Sequence, residues 1–204
     1  MARNLGPKHR LCRRVGQKLC DLDRCPAVRR SYPAGIHGPK GQRKLTEYGQ
    51  QLLEKQKAKA VYGVLERQLR GYYERALQRE GDTGHLFASL LETRLDNVVF
   101  RLGFVKSRAA ARQAVTHGHI TVNERRVTIP SAQVRAGDAI AVAERSRTSP
   151  LFQEYPKTAA QHRAPDWLAV EPDAFRGRLV RLPTAEDLQG QPFRMQSIVE
   201  FYSR

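Results

Sequence analysis

His9, Cys12, Cys20 and Cys25 stand at the spacing H-x2-C-x7-C-x4-C, the densest grouping of soft metal-ligating side chains in this chain. Thiolates and imidazoles suit a tetrahedral zinc ion, and gaps of two and four residues lie in the range found between paired ligands of structural sites. Residues 1–44 around them are rich in Gly and Pro and poor in apolar periodicity. Such a segment can hardly offset its own ordering entropy, so a metal would supply the missing folding energy. The competing reading is three reduced cysteines left from a lost site. Three cysteines cannot all pair within one chain, which fits a reducing cytosol better than a disulfide scaffold.

The second candidate chemistry is contact with a polyanion. Between Arg94 and Val142 the sequence predicts two short helices, a glycine stop and a small β unit. Ser107 can cap a helix that starts at Arg108, its hydroxyl accepting from an otherwise unpaired N–H of the first turn. Arg108 and Arg112 then share one helical face, while Ala109, Ala110, Ala111 and Ala114 keep the helix thin. Gly118 can take the left-handed conformation that ends helices, with His117 and His119 on either side. Ile120–Val122 and Arg126–Ile129 alternate like hairpin arms around Asn123-Glu124. The scaffold is expected to hold Lys106, Arg108, Arg112, His117, His119 and Arg125 towards one side. In residues 1–44, Arg3, Lys8, Arg10, Arg13, Arg14, Arg29, Arg30, His37, Arg43 and Lys44 are candidate phosphate contacts. Gly35, Gly38 and Tyr32-Pro33 favour a specific loop there over a disordered basic tail, because glycine lets a backbone approach phosphates closely.

Where the charge lies says more than its total of +16. Residues 1–44 carry 12 Lys/Arg against 2 Asp, and residues 93–147 carry 10 cations against 4 anions. Residues 45–92 and 148–204 each balance at 7 against 7. Two concentrated basic blocks predict two contact zones for nucleic-acid phosphate. No stretch approaches the ~20 apolar residues of a membrane span, and no apolar region follows the basic N-terminus as a secretory signal requires. The expectation is a soluble intracellular protein.

Around these residues, helices are expected from Thr46 or Glu47 to Tyr62 and from Val64 to about Glu80. In the second, Leu65, Leu69, Tyr72, Ala76 and Leu77 mark a core-facing stripe. Thr83 is the expected cap of a third helix carrying Leu86, Leu90 and Leu91. Tyr48, Tyr62, Tyr72, Tyr73, Phe87, Phe100 and Phe104 fall on helical stripes and read as core. Beyond Arg147, Pro150, Pro156, Pro165 and Pro172 break any long helix. Short strands are predicted at Leu179–Leu182 and Ile198–Tyr202, with Trp167 anchoring a tail that returns to the helical part.

At RLDNVVFRLGF…SR…AR…HGHITVN…V…P…V…GD.I the chain resembles the RNA-binding module named after ribosomal protein S4. MARNLGPKHRLCRR, YPAGIHG, LLEKQKAKAVYG, ERQLRGYYERA and IVEFYSR extend the resemblance to the bacterial small-subunit ribosomal protein S4 family over nearly the full length, with residues 148–165 the weakest stretch. The resemblance implies an α+β fold: a mostly helical N-terminal domain, an inserted S4-type module of two helices plus a small antiparallel β unit, and an extended basic arm. It implies an arm at 1–44 with a possible zinc site, a helical domain at 45–92, an S4 RNA-binding domain at 93–147, and a segment at 148–204 packing back on the helical domain. Family members bind 16S rRNA early in assembly and stay in the small (30S) subunit, where mRNA enters, against the S5 protein, and they influence decoding accuracy. The rRNA-binding set carried over is Arg3, Lys8, Arg10, Arg13, Arg14, His37, Arg43, Lys44, Lys106, Ser107, Arg108, Arg112, His117, His119 and Arg125. The implied partners are 16S rRNA, S5 and other small-subunit proteins, and mRNA at its point of entering, with no membrane and no small-molecule substrate. The implied location is the cytoplasmic ribosome. Repression of the protein's own mRNA varies among members and is not carried over. Some members carry C-x2-C…C-x4-C where this chain has His9 in the first position and a shorter middle loop. The hairpin turn reads Asn123-Glu124 where the family usually has Asn-Gly, which adds strain or a different turn and weakens the case for Arg125. Thr93 and Ser131–Gln133 also depart from the common pattern.

Three other functions compete. Arg94-Leu95-Asp96 superficially resembles the catalytic Asp motif of a pseudouridine synthase, but Asp96 reads more simply as a helix-start residue near favourable N–H dipoles, and the flanking chain is short for that catalytic domain. There is no Walker A loop, no G-x-S-x-G and no carboxylate pair with an obvious role, so no enzyme is expected. A stalled-ribosome rescue factor could carry the same module. A DNA-binding helix-turn-helix lacks a base-reading Asn or Gln at the start of the second helix.

Overall fold

The structure, a computed structural model, describes residues 6–22, 24–40, 44–155, 159 and 162–204, and of Lys8 the backbone alone. Arg3 and Arg43 therefore lie outside the described residues. The chain divides into two compact units, Met1–Phe87 with Gly190–Arg204, and Ala88–Gln189.

The first unit is helical. α1 (Lys8–Val15) ends at Gly16, whose φ of 74° returns backbone N–H bonds to the last turn. α2 (Glu47–Tyr62) starts where Thr46 Oγ1 accepts from the Gly49 N–H at 3.2 Å. α3 is shorter than its stripe suggests, Glu66–Leu77, and buries Leu69, Tyr72, Tyr73 and Ala76. α4 (Thr83–Glu92) is capped by Asp82 rather than Thr83: its carboxylate accepts from the Gly84 and His85 N–H groups at 3.1 and 3.0 Å. From Ala88 on, α4 belongs to the second unit.

The predicted strand at Ile198–Tyr202 is corrected to a helix within Met195–Tyr202. Ile198, Phe201 and Tyr202 recur at i, i+3 and i+4, the helical period, and that face packs on α2 and α3. Tyr202 stacks on Tyr73 with ring centroids 5.0 Å apart, and the Lys55 ammonium sits 4.1 Å over the Phe201 ring. Glu66 accepts from Lys55, Lys59 and Tyr202 at 2.9, 2.9 and 2.8 Å. Burial alone would raise the Glu66 pKa, but these hydrogen bonds, led by Lys59 and Lys55, outweigh it and hold it at about 2.

The second unit is α+β. α5 (Leu95–Arg101) and α6 (Arg108–Thr116) pack together. Ser107 caps α6 as expected, accepting from the Ala110 N–H at 3.2 Å. The sheet is larger than the small β unit foreseen: five antiparallel strands in the order β2-β1-β3-β5-β4. These are β1 (Ile120–Val122), β2 (Arg125–Arg126), β3 (Ala139–Val142), β4 (Leu168–Glu171) and β5 (Arg176–Leu179). β5 thus ends where the predicted strand at Leu179–Leu182 begins. α7 (Pro150–Gln153) also belongs here, and the helix at Met195–Tyr202 is α8. The expectation that 148–204 returns as a whole to the helical domain is corrected as well. Residues up to Gln189 fold with the second unit, and only Gly190–Arg204 joins the first. The physical reason is backbone pairing: β5 extends the sheet beside β3, and Trp167 and Leu179 complete one apolar core with Leu95, Leu102, Ile120 and Ile140.

The turn between β1 and β2 keeps its type despite Glu124. Asn123 and Glu124 sit at φ of 48° and 67°, both positive as a type I′ turn demands. The structure therefore carries the departure from Asn-Gly as backbone strain rather than as a different turn.

Candidate nucleic-acid interface and metal centre

In the second unit the arginines divide by whether a carboxylate or amide holds them. Arg94 is fully buried and grips Asp96 from both ends of its guanidinium, Nε to Oδ1 at 2.9 Å and Nη2 to Oδ2 at 2.6 Å. Arg112 donates to the same Oδ2 at 3.3 Å, and its side chain is only 12% exposed. At the next residue, Asn97 donates to the Glu92 carbonyl at 2.9 Å and carboxylate at 2.7 Å, while Arg101, one turn on, clamps both Glu92 oxygens at 3.0 and 2.7 Å. Arg108 donates from Nε to Asn97 Oδ1 at 2.8 Å and lies 4.4 Å over the Phe100 ring. So Arg108 and Arg112 do share a helical face, and that face is turned onto α5. Asp96, 6% exposed and held by two guanidiniums, is a structural anion rather than a bare helix-start residue.

The other expected contacts of this unit sit nearer the surface. Lys106 is exposed and pairs with the exposed Glu154. His117 and Arg125 are exposed. His119 is partly buried, with Nδ1 2.9 Å from Ser146 Oγ, so it ties the turn after α6 to the end of the chain segment following β3. Burial lowers its pKa first, and the charges of His117, Arg145 and Arg126 push the same way, which leaves it neutral at pH 7. Gly118 is fixed by its backbone, at φ 73°; a Cβ there would only displace the exposed Arg126 guanidinium, 2.0 Å away. That guanidinium folds over the turn and donates to the His117 carbonyl at 3.1 Å.

Within the arm, Arg13 faces inward. Its Nε and Nη2 donate to the Tyr32 and Pro33 carbonyls, both at 3.1 Å, and its guanidinium lies 5.3 Å from the Tyr32 ring centroid. It thereby shapes the loop Tyr32–Gly38, where a Cβ on Gly38 would strike the Pro33 carbonyl oxygen at 2.0 Å. Arg10, Arg14, Arg29, Arg30, His37 and Lys44 are exposed. Ile36, at the tip of that loop, is 92% exposed.

The H-x2-C-x7-C-x4-C residues do come together. One ligand atom each from His9, Cys12, Cys20 and Cys25 lies within 4.8 Å of the others, and Cys12 and Cys25 are buried. His9 Nδ1 is 3.6 Å from Cys20 Sγ. A tetrahedral ion with bonds near 2.3 Å needs ligand separations of roughly 3.8 Å, so a contraction of about an ångström closes the set. The Leu19 N–H already donates to Cys12 Sγ at 3.4 Å, the kind of bond that steadies a thiolate and orients it. The cluster can hold a metal ion.

Sequence reasoning passed over Arg126, Arg145, Arg147 and Arg176, which surround one groove. Arg176 was hidden in a tail whose charges balance. The available signal was the alternation Arg176-Gly177-Arg178-Leu179, charged on one face and apolar or small on the other, as a half-exposed strand requires.

Two family models cover most of the chain. One, described as the ribosomal protein S4/S9 N-terminal domain, matches residues 3–92, and one described as the S4 domain matches residues 93–140. Among curated relatives, the chain is 49% identical to small ribosomal subunit protein uS4 of Natranaerobius thermophilus, covering 100% of both chains. It is 51% identical to small ribosomal subunit protein uS4A of Symbiobacterium thermophilum and 48% to small ribosomal subunit protein uS4 of Thermus thermophilus, again covering 100% of both chains in each comparison.

Proposed function

This chain belongs to the uS4 family of small ribosomal subunit proteins, and from that premise we propose that it is a structural, non-catalytic constituent of the small (30S) subunit in the cytoplasm. In this reading it binds 16S rRNA early in assembly and holds a helical junction of the subunit body together. The observation that carries it is the placement of the two basic blocks, one on the arm and one on the S4 domain. A-form RNA hides its base edges in a deep, narrow groove, so recognition by shape and backbone charge is what such surfaces can deliver.

The arm (1–44) and the S4 domain (93–147) are the two grips, joined by the helical domain (45–92). Phosphate contact falls to Arg3, Lys8, Arg10, Arg14, His37, Arg43 and Lys44 on the arm, and to Lys106, Arg108, Arg112, His117 and Arg125 on the S4 domain. Arg13, Ser107 and His119 act mainly by shaping the loops and the helix start that present them. Neighbouring small-subunit proteins, S5 among them, and mRNA where it enters are the further partners, and through them the protein influences decoding accuracy. His9 Nδ1 and the thiolates of Cys12, Cys20 and Cys25 hold one structural zinc ion, supported by their convergence and by the N–H donated to Cys12. The zinc would pin α1 to the Cys20–Cys25 loop in an arm that has little core of its own.

The test is chemical footprinting of the 16S rRNA 5′ domain with the purified full chain over a salt titration. Protection of a helical junction, with affinity falling as salt rises, is expected. Absence of binding at moderate ionic strength, or binding indifferent to salt, refutes the proposal.

A further inference from the structure

The outer face of the five-stranded sheet carries a groove of about 870 Å³ that none of the residues assigned above explains. Strand register builds it. Arg126 on β2 pairs with Thr121 on β1, Thr121 with Ala141 on β3, and Ala141 with Arg176 on β5. Directly paired residues point to the same face, so between Arg126 and Arg176 this row is a floor of small side chains, and beyond Arg176 it continues to Glu171 on the edge strand β4. The two arginines are three strand spacings apart, roughly 14 Å along the backbone row. Ile140 and Val142 point the opposite way, into the core. Arg145 and Arg147, just beyond β3, close a third side.

These arginines differ from those packed around α5 in their partners, Arg126 donating to a backbone carbonyl, that of His117, and not to a side chain. Arg94, Arg101, Arg112 and Arg181 each pair with a carboxylate, and Arg108 with Asn97. Among the described residues, none of the four groove arginines has a carboxylate within ion-pair distance, although Glu124 and Glu144 stand on the rim and Glu171 on β4 pairs with Arg176 across the strands. Arg147 goes further: its Nε is buried and has no hydrogen-bond acceptor. A buried donor without an acceptor carries a desolvation cost that a ligand oxygen can relieve.

We propose that this groove is a second RNA-contact surface of the S4 domain, one that seats two or three consecutive phosphodiesters of a single strand across the floor of Thr121 and Ala141. The inference rests on the rRNA-binding reading and deepens it by naming a separate site. Planar guanidiniums match phosphate oxygens two at a time, and a floor without bulky side chains lets a sugar–phosphate chain lie close to the sheet. An acidic protein is the less suited occupant. Protein interfaces are anchored by buried aromatic or aliphatic residues, and small residues and charges make up most of this lining.

The experiment compares the full-length wild type with Arg145→Ala/Arg176→Ala in binding the 16S rRNA 5′ domain across salt concentrations. Both residues are exposed, so the fold should survive, as an unchanged unfolding midpoint would verify. Losing two phosphate contacts at about 0.7 counterions each should lower the log–log salt slope by about 1.4 and weaken binding about 14-fold at 0.15 M salt. Arg145→Lys/Arg176→Lys should restore the slope, because charge sets it. Unchanged affinity and slope in the alanine variant overturn the groove and leave the rRNA reading standing. Unchanged rRNA binding with impaired recruitment of another small-subunit protein overturns it in favour of an acidic partner. A wild type that ignores the RNA altogether sinks both.

Discussion

Replacing Asp96 by Ala should unfold the second unit far more readily, and the structure says by how much. Arg94 is 0% exposed, and its Nε and Nη2 donate to Asp96 at 2.9 and 2.6 Å. Removing the anion deprives a fully buried guanidinium of the carboxylate that two of its nitrogens grip, and breaking a buried pair in this way costs about 3–5 kcal/mol. A domain of this size has roughly 5–15 kcal/mol of stability in all, so the loss approaches half of it. The single tryptophan makes the measurement specific: Trp167 is 1% exposed in the core of the second unit, so its fluorescence follows that unit and not the helical one. At a urea slope of about 2 kcal/mol per M, the midpoint should fall by roughly 2 M. Arg94→Met with Asp96→Leu and Arg112→Met, which removes all three charges of the cluster, should recover most of the loss, since apolar replacement of a buried pair or triad is often neutral or better. A shift under about 0.5 M for Asp96→Ala would refute the argument. It would mean that water reaches Arg94, and that Asp96 is available for some other task.

Three shorter predictions follow from other sites. Purified full chain should contain close to one zinc per molecule, and Cys25→Ser should abolish it together with the α1–loop protection seen in hydrogen exchange; less than about 0.2 zinc per chain removes the ion from the account. Glu124→Gly should raise the Trp167-detected midpoint, because a left-handed non-glycine residue stores about 1–3 kcal/mol and glycine's extra backbone entropy returns about 0.5–1 kcal/mol of that gain; an unchanged or lower midpoint says that Glu124 is not strained at its φ of 67°. Glu66 has a folded pKa near 2, below its unfolded value near 4.5, so its contribution is complete above that unfolded value and is lost as pH falls through 2. Denaturation followed by far-ultraviolet dichroism should show this loss between pH 4.5 and 2 in the wild type and a flatter profile in Glu66→Gln.

The helices were readable because their apolar spacing repeats with the period of the structure that buries it, as Leu69, Tyr72, Tyr73 and Ala76 show in α3. α8 was misread for a reason of composition. Ile198-Val199 and Phe201-Tyr202 are β-formers by type, and what makes them helical is the face that α2 and α3 offer, which no local signal announces. The extension of the sheet was equally silent. β5 reads Arg-Gly-Arg-Leu, and its glycine matters only because Leu102 lies where a Cβ would go, 2.4 Å away. The metal cluster was legible because thiols and imidazoles are scarce, so their proximity in sequence already narrows what they can do. Even departures from the family pattern gain sense only in space: Thr93 Oγ1 donates to Gln133 Oε1 at 2.8 Å, and the Gln133 amide reaches the Leu90 carbonyl at 3.1 Å.

Cation counting is the step that sequence could not complete. Arginines in the segment 93–147 are indistinguishable by type, yet they answer to two different demands. Those that flank α5 and α6 are matched to Asp96, Glu92 and Asn97, which lets two short helices pack with charged groups almost inside the core. Truncating Arg112 would therefore loosen the scaffold as well as weaken any RNA contact, and a loss of affinity in such a variant could not be assigned to phosphate. Arg145 and Arg176 have no such internal task, so a fall in salt slope on their removal counts phosphates directly. A binding surface in this fold is thus better located by asking which guanidiniums lack an internal acceptor than by asking where positive charge is densest.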